Sequence, residues 1–261
     1  MSTKPRIAVH KFSSCDGCQL AFLNLGEDLL ELAERVEIVH FAEAGAVDPE
    51  APVDIAFVEG SISTPDEQAR IRQVRANSGL LITIGACATS GGLQALRNNA
   101  DSGEWMARVY ASPEYIETLA TATPVAAHVP VDFELWGCPV SGAQLLAAVR
   151  ALLFGVTPVP ETDKVCLDCK RHQNVCVLVA HGQPCLGPVT RTGCGALCPR
   201  FGRDCYGCYG PSDNPNADAL AGCFQGLGLL PEAIARRYRF IHSAQTVFAE
   251  ASQRVLGDSH D

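Results

Sequence analysis

Short apolar runs alternate with helical periods over residues 1–157, and a stretch dense in Gly, Pro and Cys follows at 158–261. Together they predict an α/β fold: a flavodoxin-like, doubly wound parallel sheet, then an irregular Cys-rich domain with C-terminal helices. Residues 6–10 make the first strand and lead into a Cys-bearing loop. Residues 19–35 carry Leu20, Leu23, Leu29, Leu30 and Ala33 at helical spacing, which predicts one helix. Residues 36–41 alternate as a strand does, and residues 54–58 read as a buried strand ending in Glu59-Gly60-Ser61. Thr64 and Pro65 open a helix to about Asn77, with proline in its first turn. Residues 79–84 form a further strand, closed by Gly85-Ala86-Cys87, whereas residues 97–122 show no clear period. Residues 131–135 are the last strand, and Trp136-Gly137-Cys138-Pro139 leads into a helix over 141–154. Pro158-Val159-Pro160 is the linker. Residues 161–230 have few periodic runs, and 231–256 return to helix in two pieces broken near His242. The tail, 257–261, is expected to fray.

The chain has 261 residues, is 47% hydrophobic and carries a net charge of -9. That hydrophobic content suffices for a core, and the negative charge argues against nucleic acid or an anionic membrane surface as partner. No apolar run approaches the roughly 20 residues of a membrane-spanning helix. The opening residues hold neither an apolar signal core nor a twin arginine, so a cytoplasmic location is expected. Disulfides are rare there, which leaves metal ligation or redox chemistry as the use for 13 cysteines.

Those cysteines fall into two patterns. Cys15, Cys18, Cys87 and Cys138 are scattered, each following a strand. The C-terminal ends of parallel strands share one edge of an open sheet, so loops remote in sequence can meet there. Gly17, Gly85 and Gly137 accompany them and let backbone approach a bulky inorganic group. Cys15 and Cys18 alone would also suit a thioredoxin-like pair, but that leaves Cys87 and Cys138 without a role. The other eight crowd together as Cys166-x2-Cys169-x6-Cys176-x8-Cys185 and Cys194-x3-Cys198-x6-Cys205-x2-Cys208. Four thiolates are the usual shell of an iron–sulfur cluster, and twelve make three such sets. Two structural zinc sites would also fit the crowded eight. His172 and His181 lie nearby, and Cys223 is left over as a plain thiol.

The motifs Cys15-Asp16-Gly17-Cys18-Gln19-Leu20, Val58-Glu59-Gly60-Ser61, Gly85-Ala86-Cys87-Ala88 and Gly137-Cys138-Pro139 carry a family resemblance. So do Cys185-Leu186-Gly187-Pro188 and the run through Cys194 to Cys205-Tyr206-Gly207-Cys208. Across residues 6–212 the chain resembles the small subunits of nickel–iron hydrogenases. Its first half is also similar to the related 20 kDa subunit of NADH:ubiquinone oxidoreductase. The resemblance implies three [4Fe-4S] clusters. A proximal one would sit on Cys15, Cys18, Cys87 and Cys138 in a first domain, 1–157. A distal one on Cys166, Cys169, Cys176 and Cys185, and a medial one on Cys194, Cys198, Cys205 and Cys208, would occupy a second, 158–261. Cys166 stands where the periplasmic branch often has histidine, and Cys198 completes a medial set that often lacks its fourth cysteine there. Both departures resemble the cytoplasmic NAD(P)-linked branch, which includes the delta subunits of sulfhydrogenases. The implied function is electron transfer between a Ni-Fe site in a partner large subunit and iron–sulfur and flavin/NAD(P) subunits. Quinone, a heterodisulfide reductase and a deazaflavin are alternative acceptors. Glu59 is a candidate for proton movement beside the proximal set, or else a solvated or salt-bridged carboxylate. Trp136 is expected to pack in an interface or core, and Asp16 and Gln19 to cap the adjoining helix.

Overall fold

The computed structural model describes residues 4–257, and the expected fraying of residues 258–261 lies outside them. The chain divides into two compact units, Met1–Val159 and Pro160–Asp261. In the first, β1 (Arg6–Lys11) is followed by α1 (Gly17–Leu23), α2 (Glu27–Arg35), β2 (Glu37–Phe41) and β3 (Ala46–Val47). Then come β4 (Val53–Glu59), α3 (Pro65–Ala76), β5 (Ser78–Ile84), α4 (Gly85–Ser90), α5 (Ser102–Val109), β6 (Phe133–Leu135) and α6 (Gly142–Leu153).

The sheet order is β3-β2-β1-β4-β5-β6, parallel throughout except for β3, which runs antiparallel to β2. Leaving out β3, the order is the doubly wound one expected from the sequence, with the direction of winding reversing beside β1. Strand side chains alternate between two cores. Ile7, Val9, Phe57, Ile82 and Ile84 meet α1, α2 and α6 through Phe22, Leu32, Leu145 and Val149. Ala8, Ala56, Val58 and Leu81 meet α3 through Ile71 and Val74 on the other face. Both faces are covered, so the strands read as continuous apolar runs. Burying each large side chain this way contributes about 1.5–3 kcal/mol.

Two sequence expectations differ from what forms. The single helix over 19–35 is two, α1 and α2, because Gly26 adopts φ 61 and turns the chain. Residues 97–122 contain α5, which Asp101 caps by accepting the N–H groups of Gly103 and Glu104. The helix expected at Thr64 is α3, closed by a capping box between Thr64 and Glu67. Glu67 does more than cap. It accepts hydrogen bonds from Ser13 Oγ at 2.9 Å and from the Ser63 N–H at 2.7 Å, tying the loop after β1 to the loop after β4.

The second unit holds α7 (Val165–Arg171), α8 (Val177–His181), α9 (Leu197–Arg200), α10 (Ala217–Gly226), α11 (Pro231–Tyr238) and α12 (Thr246–Gly257). The last three bury Phe224, Ile234, Tyr238, Phe248 and Val255 together with Leu186 and Val189. The cysteine-rich stretch has only a small apolar cluster of its own: Val165, Val177 and Ala196 with the thiols Cys185 and Cys205. So little buried area cannot order such a segment unaided.

One buried pair makes the first unit acid-sensitive. His10 on β1 packs against His40 on β2 with ring centroids 4.8 Å apart. Burial, then the nearby His40 and Arg70, pushes His10 down to about 3 from the usual 6.5. The unfolded chain binds that proton first, so the stability His10 contributes is present above pH 6.5 and is lost as pH falls toward 3. In His10→Leu, the fall in melting temperature below pH 6.5 is expected to be shallower than in the wild type.

Candidate metal centres

The first set forms where the C-terminal strand ends meet. Cys15 lies in the loop after β1, Cys18 in the first turn of α1, Cys87 in α4, and Cys138 after β6. The three loops are fastened to one another. The Val140 N–H points at Cys18 Sγ at 3.5 Å, and the Ala86 N–H donates to the Gly137 carbonyl at 2.6 Å. Gly17 sits between Cys15 Sγ and Pro139, each 3.5 Å from where a Cβ would stand. The site depends on the missing side chains of Gly85, at φ 86, and Gly92: a Cβ on the first would collide with Cys18 Sγ, and one on the second would stand 2.8 Å from Cys87 Sγ. Sequence reasoning misses Gly92, although the Gly91-Gly92 pair shortly after Cys87 is a visible signal.

Burial, then the neighbouring Cys138 and Cys15, pushes the Cys87 thiol up to about 12. Burial likewise raises Cys18, then Glu59 beside it, and it raises Cys138, then Cys15. Thiols in this setting cannot all ionise by themselves, whereas a cationic inorganic core reverses that balance by supplying the charge. The donor chemistry and the cradle therefore fit an iron–sulfur cluster. Gln19 is fully buried beside the Glu59 carboxylate.

Glu59 is neither solvated nor salt-bridged. It is 2% exposed, and its carboxylate accepts the N–H groups of Cys18 at 2.9 Å and Gln19 at 3.2 Å. Burial raises its pKa, and the Cys18 N–H, the Gln19 side chain and the Gln19 N–H oppose that rise. It thus anchors the first turn of α1, where Asp16 was expected to cap. Asp16 is the N-terminal residue but makes no capping hydrogen bond, and pairs with Lys11 at 2.7 Å instead. Trp136 is half-buried and donates to Glu134 at 3.2 Å.

In the second unit, Cys166, Cys169, Cys176 and Cys185 draw together around α7 and the start of α8. A Cβ on Gly187 would lie 3.4 Å from Cys185 Sγ and 3.8 Å from Cys166 Sγ. Cys166 is pushed up to about 11 by burial and then by Cys185, Cys169 and Cys176. Cys194, Cys198, Cys205 and Cys208 follow, with Cys205 beside Cys185 and Cys194 near Cys169. Burial raises Cys205, opposed by the Gly207 N–H at 3.4 Å, with Cys185, Cys208 and Cys194 as its sulfur neighbours. Burial and then Cys194 raise Cys198. Buried His242 lies 3.0 Å, through Nε2, from the Cys208 carbonyl, a contact 34 residues long that no local motif announces. His172, His181 and Cys223 are exposed. Among the described residues, no group of three or more His, Cys, Asp and Glu closes to hold a single metal ion. All 13 cysteines are free, and the sulfur neighbours of Cys169 and Cys205 include Cys194 and Cys185 across the two runs.

Gly85→Ala tests the cradle. It should displace Cys18 and weaken iron retention at least about tenfold, the usual effect of disturbing the support of a metal ligand. Gly155→Ala, at φ 68 in open space, should leave iron content unchanged and so controls for backbone strain alone.

Comparison with known proteins agrees with this geometry. Residues 15–152 match the family of the NADH ubiquinone oxidoreductase, 20 Kd subunit. The chain is 38% identical over 236 residues to the delta subunit of sulfhydrogenase 2 from Pyrococcus furiosus, covering 90% of this chain and 98% of that one. It is 30% identical over 271 residues to a vhu F420-non-reducing hydrogenase subunit of Methanocaldococcus jannaschii, covering 90% and 94%. Its structure resembles a chain of an NAD+-reducing [NiFe]-hydrogenase crystallised in the H2-reduced state. The TM-score is 0.55 and the identity 27%, over 60% of this chain and 95% of the other. A strand order, a sheet-edge thiol set and a sequence match that all coincide place this chain in the NADH ubiquinone oxidoreductase 20 Kd subunit family, among its hydrogenase small subunits.

Proposed function

We propose that the chain is the electron-transfer small subunit of a cytoplasmic [NiFe] hydrogenase and holds three [4Fe-4S] clusters. Cys15, Cys18, Cys87 and Cys138 would hold the proximal cluster, Cys166, Cys169, Cys176 and Cys185 the distal one, and Cys194, Cys198, Cys205 and Cys208 the medial one. The observation that carries the reading is the meeting of Cys15, Cys18, Cys87 and Cys138 at one sheet edge from three separate strand ends. Each cluster, when bound, supplies reversible one-electron transfer at a potential set by its surroundings.

The chain's own residues do the rest. Buried Cys18, Cys185 and Cys205 keep water from the sulfurs. N–H groups of Val140, Cys205 and Gly207 point at sulfur, which lowers electron density there and tunes the potential. Glu59 holds Cys18 in place through its backbone. Exposed Leu20 lies on α1 with Cys18, and exposed Leu93 and Leu96 lie on the 3-10 helix Gly92–Asn99 that follows α4, and together they give a catalytic partner apolar surface to cover. That partner would be a large subunit with the Ni-Fe site, and further iron–sulfur and flavin/NAD(P) subunits would complete the path. The names of the sulfhydrogenase and NAD+-reducing relatives support both. No helix among the described residues is long and apolar enough to cross a membrane.

Anaerobically purified complex should be brown and carry about 12 irons in this chain. A colourless, zinc-bearing, iron-free preparation would end the proposal. Cys15→Ser should abolish hydrogen-dependent reduction of the acceptor while hydrogen–deuterium exchange at the partner partly survives. Undiminished acceptor reduction in that variant would count against the first set.

A further inference from the structure

The second and third cysteine sets touch where Cys205 meets Cys185. The Cys205 N–H donates to Cys185 Sγ at 3.2 Å, and the Leu186 N–H donates back to the Cys205 carbonyl at 3.1 Å. A sulfur of one set is therefore joined to a sulfur of the other by one hydrogen bond and the N–Cα–Cβ–Sγ chain of Cys205. Cys185, Leu186 and Cys205 are all buried, so water does not compete for these bonds.

Neither loop is held at this point by a helix or sheet of its own. Both are held by α11. Arg237 Nη1 donates to the Pro184 carbonyl at 2.8 Å and pairs with the Asp204 carboxylate. Pro184 immediately precedes Cys185, and Asp204 immediately precedes Cys205. One guanidinium thus grips both partners of the contact from behind. The Arg237 side chain is 28% exposed and that of Asp204 15%, so the pair is partly screened. Its geometry matters more than its charge. Both contacts are made by one nitrogen, Nη1, which sits between the carbonyl and the carboxylate. The root of the side chain is rigid too, because Ile234, Ala235 and Tyr238 of α11 are buried.

We propose that Arg237 is the positioning residue that fixes the contact between the second and third sets. It thereby sets the electronic coupling between the two centres those sets hold. The assignment rests on the iron–sulfur reading above. It accounts for an arginine that touches no sulfur yet reaches the residue before a cysteine of each set.

The test uses the assembled complex with Arg237→Gln, Arg237→Lys and Asp204→Asn. In Arg237→Gln, iron content and the signal of the first centre should match the wild type. The magnetic interaction between the second and third centres should weaken, and their midpoint potentials should move while that of the first stays. Electron transfer through the chain should fall roughly tenfold, as when the support of a metal ligand is lost. Arg237→Lys, whose ammonium keeps the charge but falls short of the Nη1 position, should fall between this variant and the wild type, and Asp204→Asn should move in the same direction. A fully loaded Arg237→Gln with wild-type interaction and potentials overturns the proposal. Should Arg237→Gln fail to hold iron, Arg237→Lys decides: a weakened interaction supports the assignment and a wild-type spectrum overturns it. A wild-type complex without iron–sulfur signals instead overturns the functional reading, and this assignment with it.

Discussion

Burial of sulfur is the constraint on which this structure turns. Cys18, Cys185 and Cys205 are buried, and most other thiols of the three sets are partly shielded. Desolvation drives the pKa values of Cys18, Cys87 and Cys205 upward and crowding adds to it, so the free protein disfavours thiolates where its geometry brings sulfurs together. Arrangements of that kind persist in proteins when a positive centre resolves the conflict. The fold serves the same end. The sheet presents its strand ends on one edge, and the missing side chains of Gly85 and Gly92 leave room for sulfur where a Cβ would stand. Glu59 is pressed into the interior to steady a single turn of helix.

Much of this was legible in the sequence because it is local. The strands announce themselves as apolar runs, Thr64-Pro65 with Glu67 marks the start of α3, and each scattered cysteine follows a strand. What escaped is either backbone conformation or distance. A helical period continues through Gly26, and only its positive φ shows that α1 ends before α2 begins. Glu59 looks like any acidic residue at a strand end until the α1 backbone closes on it from 41 residues earlier in the chain. Arg237 lies 53 residues from Pro184 and 33 from Asp204, and His242 lies 34 from Cys208. Helical spacing places Arg237 on α11 and is silent about what it reaches.

The two units solve stability differently. The first has two apolar cores around a sheet, and the whole formal charge of -9 falls within residues 1–159, the remainder of the sequence being balanced. That charge keeps the first unit soluble and selects against acidic partners. The second has a conventional core only where α10, α11 and α12 pack, and its cysteine loops lean on that core through Leu186, Val189 and Arg237.

The meagre apolar cluster beneath the cysteine loops, Val165, Val177 and Ala196 with two thiols, bears on biogenesis. Loops so poorly upholstered would gain most of their order from an inorganic ligand on their thiols, so that loading and folding would become one event. Without such a ligand, the stretch 161–210 would have little but Val165, Val177, Ala196 and two thiols to hold it shut against a protease.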